Sequence, residues 1–371
     1  MKFQDSGSKK RDLRLDAIRG FFLVVMTINH MPWTSHPITG EPFGFVSSAE
    51  GFVFLSGLVA GMVYGKNFLQ KGFAFCKNKV FSRARKVYLY HLATVIAVVL
   101  LAQGFTSFNI SWAPSLSPLE SEPGQALILA PFLLYQPAFG DILPMYVVFL
   151  LLTPFFLWGM AKKLSPLLLG MSAALWGLAQ KGAWDWLVHS VFPVVSRMGI
   201  FDLLAWQALY FSGLFFGYRH ARRQPLFPGK KTVFLLCGVI SSVFFCLRHH
   251  IGFEQETTAH LMALAQKNHL APLRLLNFFT LAGVLTFLAE RFRPLFSCKP
   301  LAFLGQHSLQ VFAAHILLVY AIFLFQDSFS DVSVLIQYLI ASGCVALLFP
   351  IALWHRFWTA RTSPMPVARV A

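Results

Sequence analysis

The chain has 371 residues, 56% hydrophobic and only 12% charged, and its 31 Lys and Arg against 15 Asp and Glu give a formal net charge of +16. So apolar a composition excludes an ordinary soluble domain. The basic residues are split among short segments between apolar runs, which excludes a nucleic-acid-binding patch.

A membrane crossing takes about 20 mostly apolar residues. The opening "MKFQDSGSKKRDLRLD" is basic and lacks a small-residue cleavage site, so it reads as a retained tail, not a signal peptide. Ten spans are expected, over 15–33, 48–65, 87–105, 141–161, 164–180, 202–218, 232–248, 272–290, 301–325 and 334–355. The segment "GQALILAPFLLYQP" (124–137) is short and Pro-interrupted and reads as an interfacial or re-entrant piece. The fold class is therefore all-α, a polytopic transmembrane helical bundle. Residues 1–14 form an N-terminal tail, 15–358 one membrane domain and 359–371 a C-terminal tail. With both tails cytosolic, nearly all Lys and Arg fall on inner segments such as "KNFLQKGFAFCKNKVFSRARK" and "RHARRQPLFPGKK", and most acids fall outside. That bias is the positive-inside rule. The net charge is thus a topology signal first.

The first span, "RLDAIRGFFLVVMTINHMPW", carries Arg19 and His30. At about 100° per residue their separation returns to within about 20° of the start and rises about 16 Å, so both share one helix face, with Asp16 near the same stripe. Ionisable groups at membrane depth are costly and face a bundle interior or a wet cavity. The arrangement suits a passage open to anions from inside, with a proton acceptor near the outside. The bland reading pairs Arg19 with Asp16, or lets it snorkel, and makes His30 interhelical glue.

Further along, Glu50 opens the second span at its outer end, where it either orients His30, binds a ligand or is an exposed interfacial acid. Gly57, Gly61 and Gly65 recur every four residues, a spacing that lets helices approach closely, with Ser56 beside them. Asp141 starts the fourth span as a ligand group or a helix cap. Asp202 and Gln207 open the sixth similarly, and Trp206 either stacks on a ligand or joins the aromatic belt. Ser308 and His315 share a face in "GQHSLQVFAAH", where His315 is a functional group or a packed hydrogen-bonding residue. The stretch "RHHIGFEQETTAH" (248–260) contains His250–Glu254 and Glu256–His260 pairs at helical spacing. It reads as an outer loop or lid rather than a metal site. The five cysteines, Cys76, Cys237, Cys246, Cys298 and Cys344, show no ligand spacing and imply no disulfide framework.

The block "RLDAIRGFFLVVMTINH" resembles the Arg-ten-residues-His motif of acyltransferase-3-type membrane enzymes. Four further blocks, "FGFVSSAEGFVFLSGLVAGMVYG", "DILPMYVVFLLLTP", "FDLLAWQALYFSGLFFGY" and "FLGQHSLQVFAAH", resemble in order the OpgC family, associated with succinylation of osmoregulated periplasmic glucans. The resemblance implies a multi-pass O-acyltransferase of the bacterial inner membrane. Its donor would be a cytosolic acyl-CoA (succinyl-CoA or acetyl-CoA), and its acceptor a hydroxyl of a periplasmic glucan or other extracytoplasmic glycan. It implies no permanently bound cofactor and no metal, and leaves a homo-oligomer open. His30 would take the hydroxyl proton, with Glu50 beside it. Arg19, Arg83, Arg85 and Lys86 would hold and guide the donor, their charges on the CoA phosphates. Asp141, Asp202, Trp206, Gln207 and His315 would face the acceptor. The rival reading is a transporter or flippase of a small anion or glycan precursor, which would ordinarily show repeat symmetry or matched broken spans.

Overall fold

The computed structural model describes residues 12–32, 39–105, 123–191, 199–224, 231–254, 261–323, 325 and 333–362. Most of the expected outer loop 113–124, Glu256 and His260, and most of both tails lie outside them. Every regular element among the described residues is helical: α1 (Leu13–Asn29), α2 (Ser48–Phe105), α3 (Pro123–Leu129), α4 (Ile142–Ala161), α5 (Ser165–Ala179), α6 (Ala183–Val191), α7 (Leu203–Ala221), α8 (Lys231–Arg248), α9 (Pro272–Arg291), α10 (Lys299–Gln306), α11 (Ser308–Phe323) and α12 (Val334–Thr362), with a 3₁₀ turn at Ala130–Phe132.

The all-α expectation holds among the described residues, and the expected ten spans are not confirmed. Among the described residues, five helices are long and apolar enough to cross a membrane: Ser48–Gln103, Ile142–Ala161, Lys231–Arg248, Pro272–Arg291 and Val334–Arg361. A sixth is α10 with α11, if that pair, bent by 89°, forms one broken span. At 17 and 15 residues, α1 and α5 are shorter than the crossing length of about 20.

The long helix α2 runs on through the basic segment expected to be a loop. Its 58 residues would extend about 87 Å if straight, nearly three hydrocarbon thicknesses. It is not straight. Gly72 has φ 79° and ψ −179°, a conformation open essentially to glycine alone. Cys76 Sγ lies 3.5 Å from the Tyr64 carbonyl oxygen, whereas twelve residues of straight helix would separate them by about 18 Å. The chain therefore folds back at Gly72 into two arms.

Small residues set the closest crossings. A Cβ on Gly57 would lie 2.0 Å from the Tyr210 carbonyl oxygen, and one on Gly217 2.0 Å from that of Leu58. Gly61 and Gly213 make the same kind of contact from each side, so α2 and α7 cross backbone to backbone. Without a hydrophobic driving force in lipid, such close packing is a main source of helix association. The packing role expected for Gly57 and Gly61 is what the structure has. A second crossing joins α1 to α10, where Gly20 faces Leu301 and Gly305 faces Asp16. Around the first crossing, Trp206, Tyr210, Phe149 and Leu157 are almost wholly buried, and the Thr153 and Tyr210 hydroxyls are 2.9 Å apart. Ser56 lines a cavity of about 10 Å³ with Phe52, Tyr146 and Tyr210, room for no more than one water.

Candidate functional site

The site forms where α1 stops. His30 is the C-cap of α1, with φ −95° and ψ 0°, and its N–H donates to the Met26 carbonyl at 3.0 Å. Asn29 pins the exit of the helix: its Nδ2 donates to the Thr39 carbonyl at 2.8 Å, and its Oδ1 accepts from the Thr39 hydroxyl at 2.5 Å. The half-buried His30 ring then meets two others. Its Nδ1 is 3.1 Å from Nε2 of His315, and it stacks on Phe139 with centroids 4.3 Å apart. His315 sits mid-helix in α11, fully buried, with its Nδ1 2.5 Å from the Phe312 carbonyl oxygen. Phe139 has a left-handed backbone, φ 65°, which costs a non-glycine residue on the order of 1 kcal/mol. The turn is held by the Tyr320 hydroxyl, which donates to the Ala138 carbonyl at 3.3 Å, and it presents the Phe139 ring to His30.

Arg19 lies on the N-terminal half of the same helix, half-buried beside the Gly20–Leu301 crossing. Helix α1 is regular from Leu13 to Asn29, so the expected rise of about 16 Å between Arg19 and His30 stands. Arg83, Arg85 and Lys86 lie on the second arm of α2, with Arg85 and Lys86 exposed and Arg83 half-buried.

Glu50 belongs to a different cluster. Its Oε1 accepts from Arg274 Nη1 at 2.8 Å, and its Oε2 from the Ser47 N–H at 3.0 Å and the Ser47 hydroxyl at 2.6 Å. Arg274 Nη2 also reaches Glu41 at 2.6 Å, and Arg248 Nε reaches the other oxygen of Glu41 at 3.1 Å. Glu50 is thus a buried counter-ion for Arg274, and the group on His30 Nδ1 is His315.

The carboxylates at the starts of α4 and α7 are also occupied. Asp141 is buried, and its Oδ2 accepts from the Ile200 N–H at 3.1 Å, which ties the start of α4 to the segment before α7. Burial pushes its carboxyl up to about 6, against the pull of that hydrogen bond. Asp202 caps α7 through the N–H groups of Leu204 (2.8 Å) and Ala205 (3.1 Å), and its other oxygen meets His269 Nδ1 at 3.1 Å. Burial raises its carboxyl too, opposed by His269 and the two backbone donors. The cap reading noted for both positions is the one the hydrogen bonds support for Asp202.

Trp206 and Gln207 are both buried and hydrogen-bonded within the bundle. Trp206 is 0% exposed, and its indole N–H donates to the Asn268 carbonyl at 3.0 Å. Its ring packs on Phe201, with centroids 4.2 Å apart. Gln207 is stapled to α5: Oε1 accepts from the Ser172 hydroxyl at 2.7 Å and Nε2 donates to the Ser172 carbonyl at 2.8 Å. His315 faces His30 instead of open space.

Sequence reasoning missed Arg274 and Phe139. An arginine inside the apolar run "APLRLLNFFTLAG" was the available signal for the first. The "QPAFGD" turn was a weaker one for the second. Among the described residues, no group of three or more His, Cys, Asp or Glu is placed to hold a metal ion.

Among the described residues, helices long and apolar enough to cross a membrane, with a histidine pair packed between two of the bundle's helices, define the class: a membrane protein with ionisable side chains inside its helical bundle. The OpgC protein family model matches residues 11–360, and the chain belongs to that family. No curated protein and no solved structure matches it. Membership implies a transferase role in glucan modification.

Proposed function

We propose that the protein is a membrane-embedded O-acyltransferase that moves a succinyl group from cytosolic succinyl-CoA to a hydroxyl of a periplasmic glucan. It would act in the bacterial inner membrane with both termini cytosolic and about ten crossings. The fold-back at Gly72 supports the higher span count, because each arm of α2 then counts separately. The distribution of Lys and Arg supports the orientation.

The observation that carries the reading is the half-buried imidazole of His30, held by His315 and Phe139 at the outer end of the helix that bears Arg19. A neutral imidazole keeps one nitrogen lone pair, which can take the proton of an attacking hydroxyl. In the step proposed, a glucan hydroxyl oxygen attacks the thioester carbon and its proton passes to His30. The C–O bond forms as the C–S bond breaks. The proton then goes to the departing CoA sulfur, so free CoA and the glucan ester are the products. On the inner side, Arg19, Arg83, Arg85 and Lys86 supply positive charge for the CoA phosphates, which need charge-assisted donors.

The experiment is acyl transfer by the purified full chain in lipid nanodiscs, given succinyl-CoA and unmodified glucan and read by mass spectrometry. Succinylated glucan with release of one free thiol per ester is expected. Thiol release without glucan ester, or no reaction with succinyl-CoA while acetyl-CoA is consumed, would overturn the donor or acceptor assignment.

A further inference from the structure

We propose that His315 is a positioning residue: it fixes the tautomer of His30 so that Nε2 of His30, and not Nδ1, takes the hydroxyl proton. The proposal rests on the reading of His30 as the base, and it adds which nitrogen acts and what selects it.

Donors and acceptors fix which nitrogen of each ring carries its hydrogen. A carbonyl oxygen can only accept. His315 Nδ1 lies at the Phe312 carbonyl, one helical turn back, so Nδ1 carries the hydrogen. A neutral imidazole has one N–H and one lone pair, so the lone pair of His315 is on Nε2. His315 is fully buried, and it meets a carbonyl and a second imidazole there, with no carboxylate on either nitrogen among the described contacts. Burial of a charge without a counter-ion is costly, so the neutral form is the one this site holds.

The His315 Nε2 lone pair faces His30 Nδ1 at 3.1 Å, so His30 Nδ1 must carry the hydrogen between them. Neutral His30 then has its lone pair on Nε2. The order runs from the Phe312 carbonyl through both rings, and each link allows only one direction. Stacking on Phe139 holds the His30 ring in the plane that keeps this contact. When His30 accepts the hydroxyl proton at Nε2, its Nδ1–H still points to the His315 lone pair. The hydrogen bond to the charged ring is then stronger than the one to the neutral ring. The same contact thus sets the tautomer before the step and stabilises the imidazolium formed in it. Orienting partners of this kind are typically worth 10–100-fold where they fix an imidazole's tautomer on a metal.

The test uses the full chain in nanodiscs with ¹⁵N-labelled histidine. The His30 signals are identified as those lost in His30→Gln. In wild type, His30 Nε2 should resonate as a bare ring nitrogen and Nδ1 as an N–H. In His315→Leu the acceptor is gone, and Nε2 of His30 should shift toward the N–H form. kcat for glucan acylation should fall roughly 10- to 100-fold, with KM for succinyl-CoA and for glucan each within about 2-fold. In His315→Gln the carboxamide oxygen stands where Nε2 was and accepts from His30 Nδ1–H. This variant should keep at least about a tenth of the rate and the wild-type His30 pattern. A His315→Leu protein with wild-type kcat, or with the His30 tautomer unchanged, overturns the proposal. If His315→Leu does not fold, His315→Gln decides: a folded Gln variant as inactive as His30→Ala means His315 moves the proton itself, which also overturns it. Failure of the underlying reading looks different, because then His30→Ala is active whatever His315 does.

Discussion

The buried cluster around Arg274 gives the sharpest structural prediction, because sequence reasoning gave Glu50 a place at the reacting centre. The Glu50 side chain is 0% exposed and that of Arg274 5%. Arg274→Met keeps the length of the side chain and removes the charge. The Glu50 carboxylate then retains only the two donors of Ser47, at 3.0 and 2.6 Å, and the Ala265 carbonyl loses the Arg274 Nε–H at 2.8 Å. Glu41, 20% exposed, still has Arg248 at 3.1 Å. Leaving one member of a buried pair uncompensated costs about 3–5 kcal/mol, whereas removing both charges is nearly neutral. Arg274→Met should therefore destabilise by about that amount, and Arg274→Met with Glu50→Gln should recover most of it. The assay is SDS-driven unfolding in mixed micelles followed by Trp fluorescence, with acyl transfer measured on the folded double variant. A cost below about 1 kcal/mol for Arg274→Met, or a double variant no more stable than the single, refutes the paired-charge reasoning. A stable double variant that binds donor but transfers nothing returns Glu50 to the reacting centre.

Three further outcomes follow from the same geometry. Asp141 has its folded carboxyl raised to about 6, so its contribution favours the folded state below about pH 4 and is lost as pH rises through 6. Asp141→Asn should then stabilise at pH 7.5, by at most on the order of 3 kcal/mol, with the gain vanishing toward pH 4. A gain of equal size at pH 4 and 7.5 would contradict the burial argument. Gly217→Ala places a Cβ 2.0 Å from the Leu58 carbonyl oxygen and should cost roughly 1–3 kcal/mol or more in detergent unfolding, while Gly177→Ala, with open space around its Cβ, should be neutral or mildly stabilising. Equal effects at the two glycines would remove the α2–α7 crossing from the account. Neutralising Arg83, Arg85 and Lys86 together should raise KM for succinyl-CoA several-fold and flatten its salt dependence, with KM for glucan unchanged. Parallel loss for both substrates in a correctly inserted variant would make these residues topology signals alone.

The helices were readable where one apolar run makes one helix. The expected span 141–161 is Ile142–Ala161, 232–248 is Lys231–Arg248, and 272–290 is Pro272–Arg291. They were unreadable where a polar segment keeps good helix formers. The basic stretch before Arg83 looked like a loop by charge, yet Leu, Gln, Lys, Ala and Arg favour helix, so only Gly72 interrupts it. The single expected span 301–325 conceals a bend of 89° between Gln306 and Ser308, which apolar periodicity does not register. In the site, His30 and His315 each stood out as ionisable groups in apolar helices. Their pairing joins residues 285 apart in sequence and needed coordinates. For Glu50 and Asp141 the sequence leaves a ligand role and a local structural role both open, because it hides their partners. Glu50 finds Arg274, 224 positions away, and only Asp202 had a local signature, that of a helix cap.

The central claim is that His30 carries the proton in acyl transfer at the outer end of α1. Its most direct measurement is a paired one on purified, folded His30→Ala: succinyl-CoA binding and glucan succinylation under the same conditions. Loss of a general base costs typically 10²–10⁴-fold, and more where the same ring also orders the acceptor. Succinyl-CoA should bind His30→Ala as it binds wild type, because the charges proposed for its phosphates lie on the N-terminal half of α1 and on the second arm of α2, while glucan ester formation falls at least about 10²-fold. Glucan ester formed by His30→Ala at a rate near wild type would contradict the account.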